Sequence, residues 1–87
     1  MLKITRVTEA GFTRVIVSGR IDRQQLPDLR GFLEAVNASR VVLDLTEVTL
    51  VDLEVVHFLL RCEVHGIRLV DCPAYVREWM VRERQSQ

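Results

Sequence analysis

The segment Val41-Val42-Leu43-Asp44-Leu45 constrains this chain more than any other. Five residues with one polar break leave no side for water, as expected of a strand at the centre of a sheet and covered on both faces. Apolar stripes of helical period flank it. Before it, Leu29, Phe32, Leu33 and Val36 recur at three- and four-residue spacing, while Arg30 and Glu34 lie off the stripe. After it, Val55, Val56, Leu59, Leu60 and Cys62 carry the apolar side of a second helix, from about Asp52 to His65. Strands joined through a helix pair in parallel with a right-handed crossover, so this alternation already dictates most of the topology.

The remaining elements complete it. Leu2 and Ile4 alternate with Lys3 and Thr5, which predicts a half-buried strand over Leu2–Val7. Thr8-Glu9-Ala10-Gly11 reads as a four-residue turn into a second strand, Phe12–Gly19, rich in β-branched residues, and the pair forms an antiparallel hairpin. Pro27 suits a first helical turn, where its missing N–H is not needed, and Asn37 and Ser39 end that helix. Thr46 to Val51 is expected as a loop. Gly66 follows the second helix as its C′ residue, Ile67–Val70 forms a fourth strand, and Cys72-Pro73 breaks it. A last helix over Ala74–Arg84 is buried through Val76, Trp79 and Met80, before a frayed Gln85-Ser86-Gln87. The expectation is one α/β domain over residues 1–87, a mixed four-stranded sheet of an N-terminal hairpin plus parallel strands, packed with three helices.

Composition excludes several function classes. Twelve Lys and Arg balance twelve Asp and Glu for a formal net charge of zero, which argues against a nucleic-acid or anionic-membrane binder. The longest stretch free of these four residue types is Val55–Leu60, so no transmembrane helix or signal-peptide apolar region fits. Two cysteines ten residues apart make no disulfide framework, and the simplest reading is a reduced, cytoplasmic chain in which both are small buried hydrophobes.

Chemistry-bearing residues are sparse. His57 and Cys62 diverge around a helix, and only Cys62 and His65 share a face, so no metal site is assigned. Asp44 and Asp52 both fall near the C-terminal end of the third strand, where open α/β sheets bind ligands. No third partner, glycine-rich phosphate loop or GxSxG elbow accompanies them, so neither a catalytic residue nor a cofactor is assigned. Asp52 stands where an N-cap belongs and Glu54 in the first turn behind it, where negative charge is favoured.

Val15-Ile16-Val17-Ser18-Gly19-Arg20-Ile21-Asp22, Val41 through Val48, Val51-Asp52, and His65-Gly66-Ile67-Arg68-Leu69-Val70 occur in the order and at the spacing of the STAS domain, which the chain resembles over roughly residues 2 to 81. STAS domains include anti-sigma-factor antagonists and the cytoplasmic tails of sulphate transporters. The resemblance implies a non-catalytic, bacterial signalling module whose regulatory helix begins at Asp52. Antagonist members carry a phosphorylatable Ser or Thr after that Asp, then a small residue and Gly. Here the residues are Leu53, Glu54 and Val55. Leu53 has no hydroxyl, so the switch cannot operate at this position.

Three readings follow. In the first, the chain binds a protein partner constitutively, an anti-sigma factor or serine kinase by resemblance, through Asp22, Thr49, Asp52, Leu53, Glu54 and His57. In the second, phosphorylation moves to Thr49 or Thr46. In the third, the chain is a STAS-type subunit of a transport system, or a small-molecule or lipid sensor whose helices shelter a ligand. Tyr75 and Trp79 on the last helix are expected to pack on the sheet rather than form a second interface. A homodimer is compatible with the sequence and not required by it.

Overall fold

A computed structural model of the chain describes residues 2–36 and 40–86. The elements run β1 (Lys3–Glu9), β2 (Phe12–Ile21), α1 (Leu26–Ala35), β3 (Val41–Val51), α2 (Leu53–Val64), β4 (Arg68–Val70) and α3 (Ala74–Gln85). The sheet order is β1-β2-β3-β4, with β1 antiparallel to β2 and the other two pairings parallel. This is the mixed four-stranded sheet with three helices that the sequence predicts. The ending of α1 at Asn37 and Ser39 falls outside the described residues, but the helix itself stops at Ala35.

Three local expectations are corrected. The hairpin turn is two residues, Ala10-Gly11, because Thr8 and Glu9 still pair with Thr13 and Phe12. Thr46 to Val51 is not a loop but the second half of β3. Its register against β2 shifts between Ile16 and Ser18 and again between Gly19 and Arg20, each time with an extra residue on β3. Such bulges break the two-residue alternation while the backbone stays paired, which is why polar Thr46, Glu47 and Thr49 conceal a strand. Gly19 sits at the second shift with φ +94°, a conformation that side chains resist.

The third correction concerns coverage. Val15, Val17, Leu43, Leu45 and Leu69 project to one face and join Leu29, Val55, Val56, Leu59, Cys62, Val76 and Met80 in the core. The alternate residues Ile16, Val42 and Val70 are half-buried and lie outside that core. The helices thus cover one face, and β3 is not sandwiched. Asp44 points to the open side yet is 7% exposed, sheltered beside Arg14, whose Nη1 lies 3.9 Å from Oδ2.

Helix ends are defined by local chemistry. Pro27 lies in the first turn of α1. At the end of α2, the N–H groups of Gly66 and Ile67 donate to the carbonyls of Glu63 and Cys62, with Gly66 at φ +86°. That is a Schellman C-cap, and it turns the chain directly into β4.

Candidate functional site

The ends of β2 and β3 lie side by side, with Ile21 paired to Val51. Beyond them the chain turns through Asp22–Gln25 into α1 and through Asp52 into α2. In the first turn, the Asp22 Oδ1 accepts from the Gln24 N–H at 2.9 Å and the Gln25 side chain accepts from the Asp22 N–H at 2.8 Å. In the second, Asp52 Oδ1 accepts from the Val55 N–H at 3.0 Å, the N-cap bond expected at this position. Its other oxygen accepts from the Arg23 N–H at 2.9 Å and ties the two turns together. Asp22 and Asp52 therefore share one edge, as the topology requires, around a shallow depression of about 300 Å³ lined by Arg20, Ile21, Asp22, Leu50, Val51 and Asp52. Both oxygens of Asp52 are engaged by backbone, so this carboxylate positions the edge.

The apolar part of that edge is on the surface. Leu53 is 43% exposed, and Leu50, which the sequence reading did not single out, is 57% exposed. Its signal was the Thr49-Leu50-Val51 triplet, read as loop when it is strand: Thr49 is the extra residue of the second bulge, and Leu50 faces solvent. Glu54 is exposed beside Leu53. His57 is half-buried and its Nε2 lies 2.8 Å from the Glu83 carboxylate on α3, a partner no local pattern discloses.

The two alternative hydroxyls are strand residues, not loop residues. Thr46 donates its hydroxyl to Asp44 Oδ1 at 2.6 Å. Thr49 is exposed, and its carbonyl accepts from the Tyr75 hydroxyl at 2.6 Å. Neither sits among the free N–H groups that open α2. Tyr75 is 43% exposed and binds the β3 backbone instead of packing on the sheet, whereas Trp79 packs partly against the core.

Asp44 and Asp52 do not meet. Asp44 lies in mid-strand between Ile16 and Val70, with the second half of β3 separating it from Asp52. His57 turns to Glu83, His65 donates from Nδ1 to the Arg61 carbonyl, and Cys62 is buried in the core. No group of three or more metal-ligating side chains forms among the described residues. Burial raises the Cys62 thiol to about 11 against the weaker pull of Arg61 and Arg30, and burial also raises Cys72, which is only half-buried. A cleft of about 360 Å³ between α1 and α2 is lined by Leu33, Phe58, Cys62 and Ile67, with Arg30, Arg61 and His65 around it. The Arg30 guanidinium stands 5.9 Å from the Phe58 ring centre.

Fold and site together define a small α/β module with helices on one face of its sheet and exposed leucines at the edge where β3 enters α2. The chain belongs to the STAS domain family: the family model described as "Mlab, STAS domain" matches residues 5–81. A search of curated proteins finds no match. Among solved structures, the chain is similar to an uncharacterised protein of the DUF3478 family with a SpoIIAA-like fold from Shewanella loihica PV-4. The identity is 16%, the TM-score 0.46, and the match covers 98% of this chain and 78% of that one. No helix among the described residues is long and apolar enough to cross a membrane.

Proposed function

We propose that this STAS domain is a non-catalytic protein-docking module that binds its partner constitutively, without a phosphate switch at the start of α2. The observation that carries the reading is Leu53, an exposed apolar side chain at the position where antagonist members carry a hydroxyl. Leu50, also exposed, stands at the end of β3 beside the depression shared with Asp22 and Asp52, and the proposed docking edge comprises these residues with Thr49, Leu53, Glu54 and His57. Asp52 holds the two turns that present this edge. Thr46 and Thr49 are residues of β3 and not of the first turn of α2, so a phosphate there would not stand in the place of the family's modified hydroxyl at position 53.

The partner class by resemblance is an anti-sigma factor or its kinase. A second reading is a STAS-type subunit of a transport system in the cytoplasm, and the matching family model, described as "Mlab, STAS domain", is compatible with either. Affinity capture from the native cell with wild type, Leu53→Asp and Leu53→Ser, read by mass spectrometry, tests both. A protein recovered by wild type and lost with Leu53→Asp is the expected result, and its identity selects between the two classes. Undiminished recovery with Leu53→Asp would overturn the docking surface. Phosphate on the serine variant would show that Leu53 locks an otherwise intact switch.

A further inference from the structure

Along the outward side of α2 runs a seam of three apolar residues and one histidine that the rest of the chain covers only in part. Leu53, His57, Leu60 and Val64 are spaced four, three and four residues apart. At 3.6 residues per turn they fall within an arc of about 60°, opposite the buried Cys62. Val64 is 83% exposed and Leu53 43% exposed. Leu60, expected in the core, is only half-buried, and shallow hollows flank it on both sides, one shared with His57, Arg61 and Val64, the other with Glu63, Val64 and Arg84. Four-three-four is the spacing of a coiled-coil seam, which needs a facing helix.

We propose that the facing helix is α2 of a second copy, packed antiparallel across a two-fold axis. The seam is self-complementary in that arrangement. Leu53 meets Val64 of the second copy and His57 meets Leu60, and each contact then occurs twice, as an isologous interface demands. The flanking charges select the same arrangement. On the α3 side of the seam the polar groups are already partnered within the chain: His57 hydrogen-bonds Glu83, and Glu63 pairs with Arg77 and Arg84. On the other side stand Glu54 and Arg61, both exposed and neither in an ion pair among the described residues. They are seven residues apart on one helix, too far to pair with each other. Antiparallel packing sets Glu54 of each copy beside Arg61 of the other, two opposite-charge pairs per dimer.

The seam spans about 16 Å of helix, so the interface is small and the dimer belongs to the weak, concentration-dependent class. Because Leu53 lies at its end, self-association buries part of the proposed docking edge. On that reading of the edge, pairing withholds it from the partner and replaces the missing phosphate switch with a concentration-dependent one.

Sedimentation of the full chain from roughly 1 µM to 1 mM tests the dimer without any partner. The expected result is a weight-average mass that climbs toward twice the monomer. Glu54→Arg and Arg61→Glu each set like charges opposite each other twice and weaken association by about tenfold or more. Mixing the two variants restores it, since the mixed dimer recovers both opposite-charge pairs. Val64→Asp, at a largely solvated position outside the docking edge, abolishes association while capture of the partner persists. A monomer throughout the range, or a dimer indifferent to all three substitutions, would overturn the proposal, as would a mixture that associates no better than its components. Failure of the monomeric Val64→Asp variant to capture any partner would count against the docking edge alone.

Discussion

The backbone N–H of Arg23 donates to Oδ2 of Asp52 at 2.9 Å across 29 residues of chain. Asp52 is therefore more than the N-cap of α2: it joins the turn after β2 to the turn after β3. Removing it costs the cap, about 1 kcal/mol and up to about 2, and leaves the Arg23 N–H without its protein acceptor. Asp52→Ala is expected to lower unfolding free energy by about 1–3 kcal/mol in urea. Asp52→Asn keeps one acceptor oxygen and is expected to lose roughly half as much, with the change in amide shift concentrated at Arg23 or Val55, whichever bond is given up.

Leu53 and Leu59 lie about 120° apart around the same helix and test the distinction between surface and core. Leu59 is fully buried, and Leu59→Ala is expected to cost about 2–5 kcal/mol. Leu53→Ser removes an apolar group already half in water and is expected to shift stability by no more than about 0.5 kcal/mol. Chemical denaturation of both variants checks this. A large loss for Leu53→Ser would mark it as structural and remove the main support for a docking role.

α3 is held to α2 partly by charge. Glu63 receives Arg84 at 2.7 Å and Arg77 at 3.3 Å. These pairs are partly solvated, so Glu63→Gln is expected to cost no more than about 1 kcal/mol at low ionic strength. The difference from wild type should shrink in about 1 M salt, where the screening length falls to roughly 3 Å. Thermal melts of both proteins at two salt concentrations provide the measurement.

Cys62 sets a limit at alkaline pH. Its thiol is raised from 9.0 to about 11, chiefly by burial, so the folded state holds a proton that the unfolded chain releases. The contribution is fully present below pH 9 and is lost as pH rises from there through about 11. Two pH units correspond to about 2–3 kcal/mol. Cys62→Ala is expected to flatten this part of the stability profile relative to wild type, as measured by urea midpoints between pH 8 and 11. In the native protein the half-buried Cys72 should react with a thiol reagent before Cys62 does.

Residues whose role depends on near neighbours in the chain were legible beforehand. The apolar run at Val41–Leu45, the stripe through Leu29 and Val36, Pro27 in its first turn, Asp52 as an N-cap and Gly66 after α2 each act through a local period or a bond spanning a few residues. The candidate edge was legible to the same extent. Asp22 and Asp52 follow parallel strands that pair, and parallel strands bring their following turns to one end of the sheet. Leu50 was not legible, because polar Thr46, Glu47 and Thr49 hide the strand: one bulge turns Val48 inward, the second returns Leu50 to the face of Asp44, and neither leaves a mark in the local pattern.

Element order, parallel pairing and the lack of a hydroxyl at position 53 follow from the residues alone, because hydrophobic period, helix capping and side-chain chemistry are properties of short stretches of chain. Which surfaces remain free is a matter of packing. β3 continues through Thr46–Val51 because β2 is there to pair with it, and one sheet face stays open because all three helices pack on the other. Leu60 sits at the rim of the core because the packing of α2 against the sheet and α3 orients the helix so, and His57 turns to Glu83 because α3 packs beside α2. Contacts between residues distant in the chain depend on how packed layers sit against one another, and no local pattern encodes that placement.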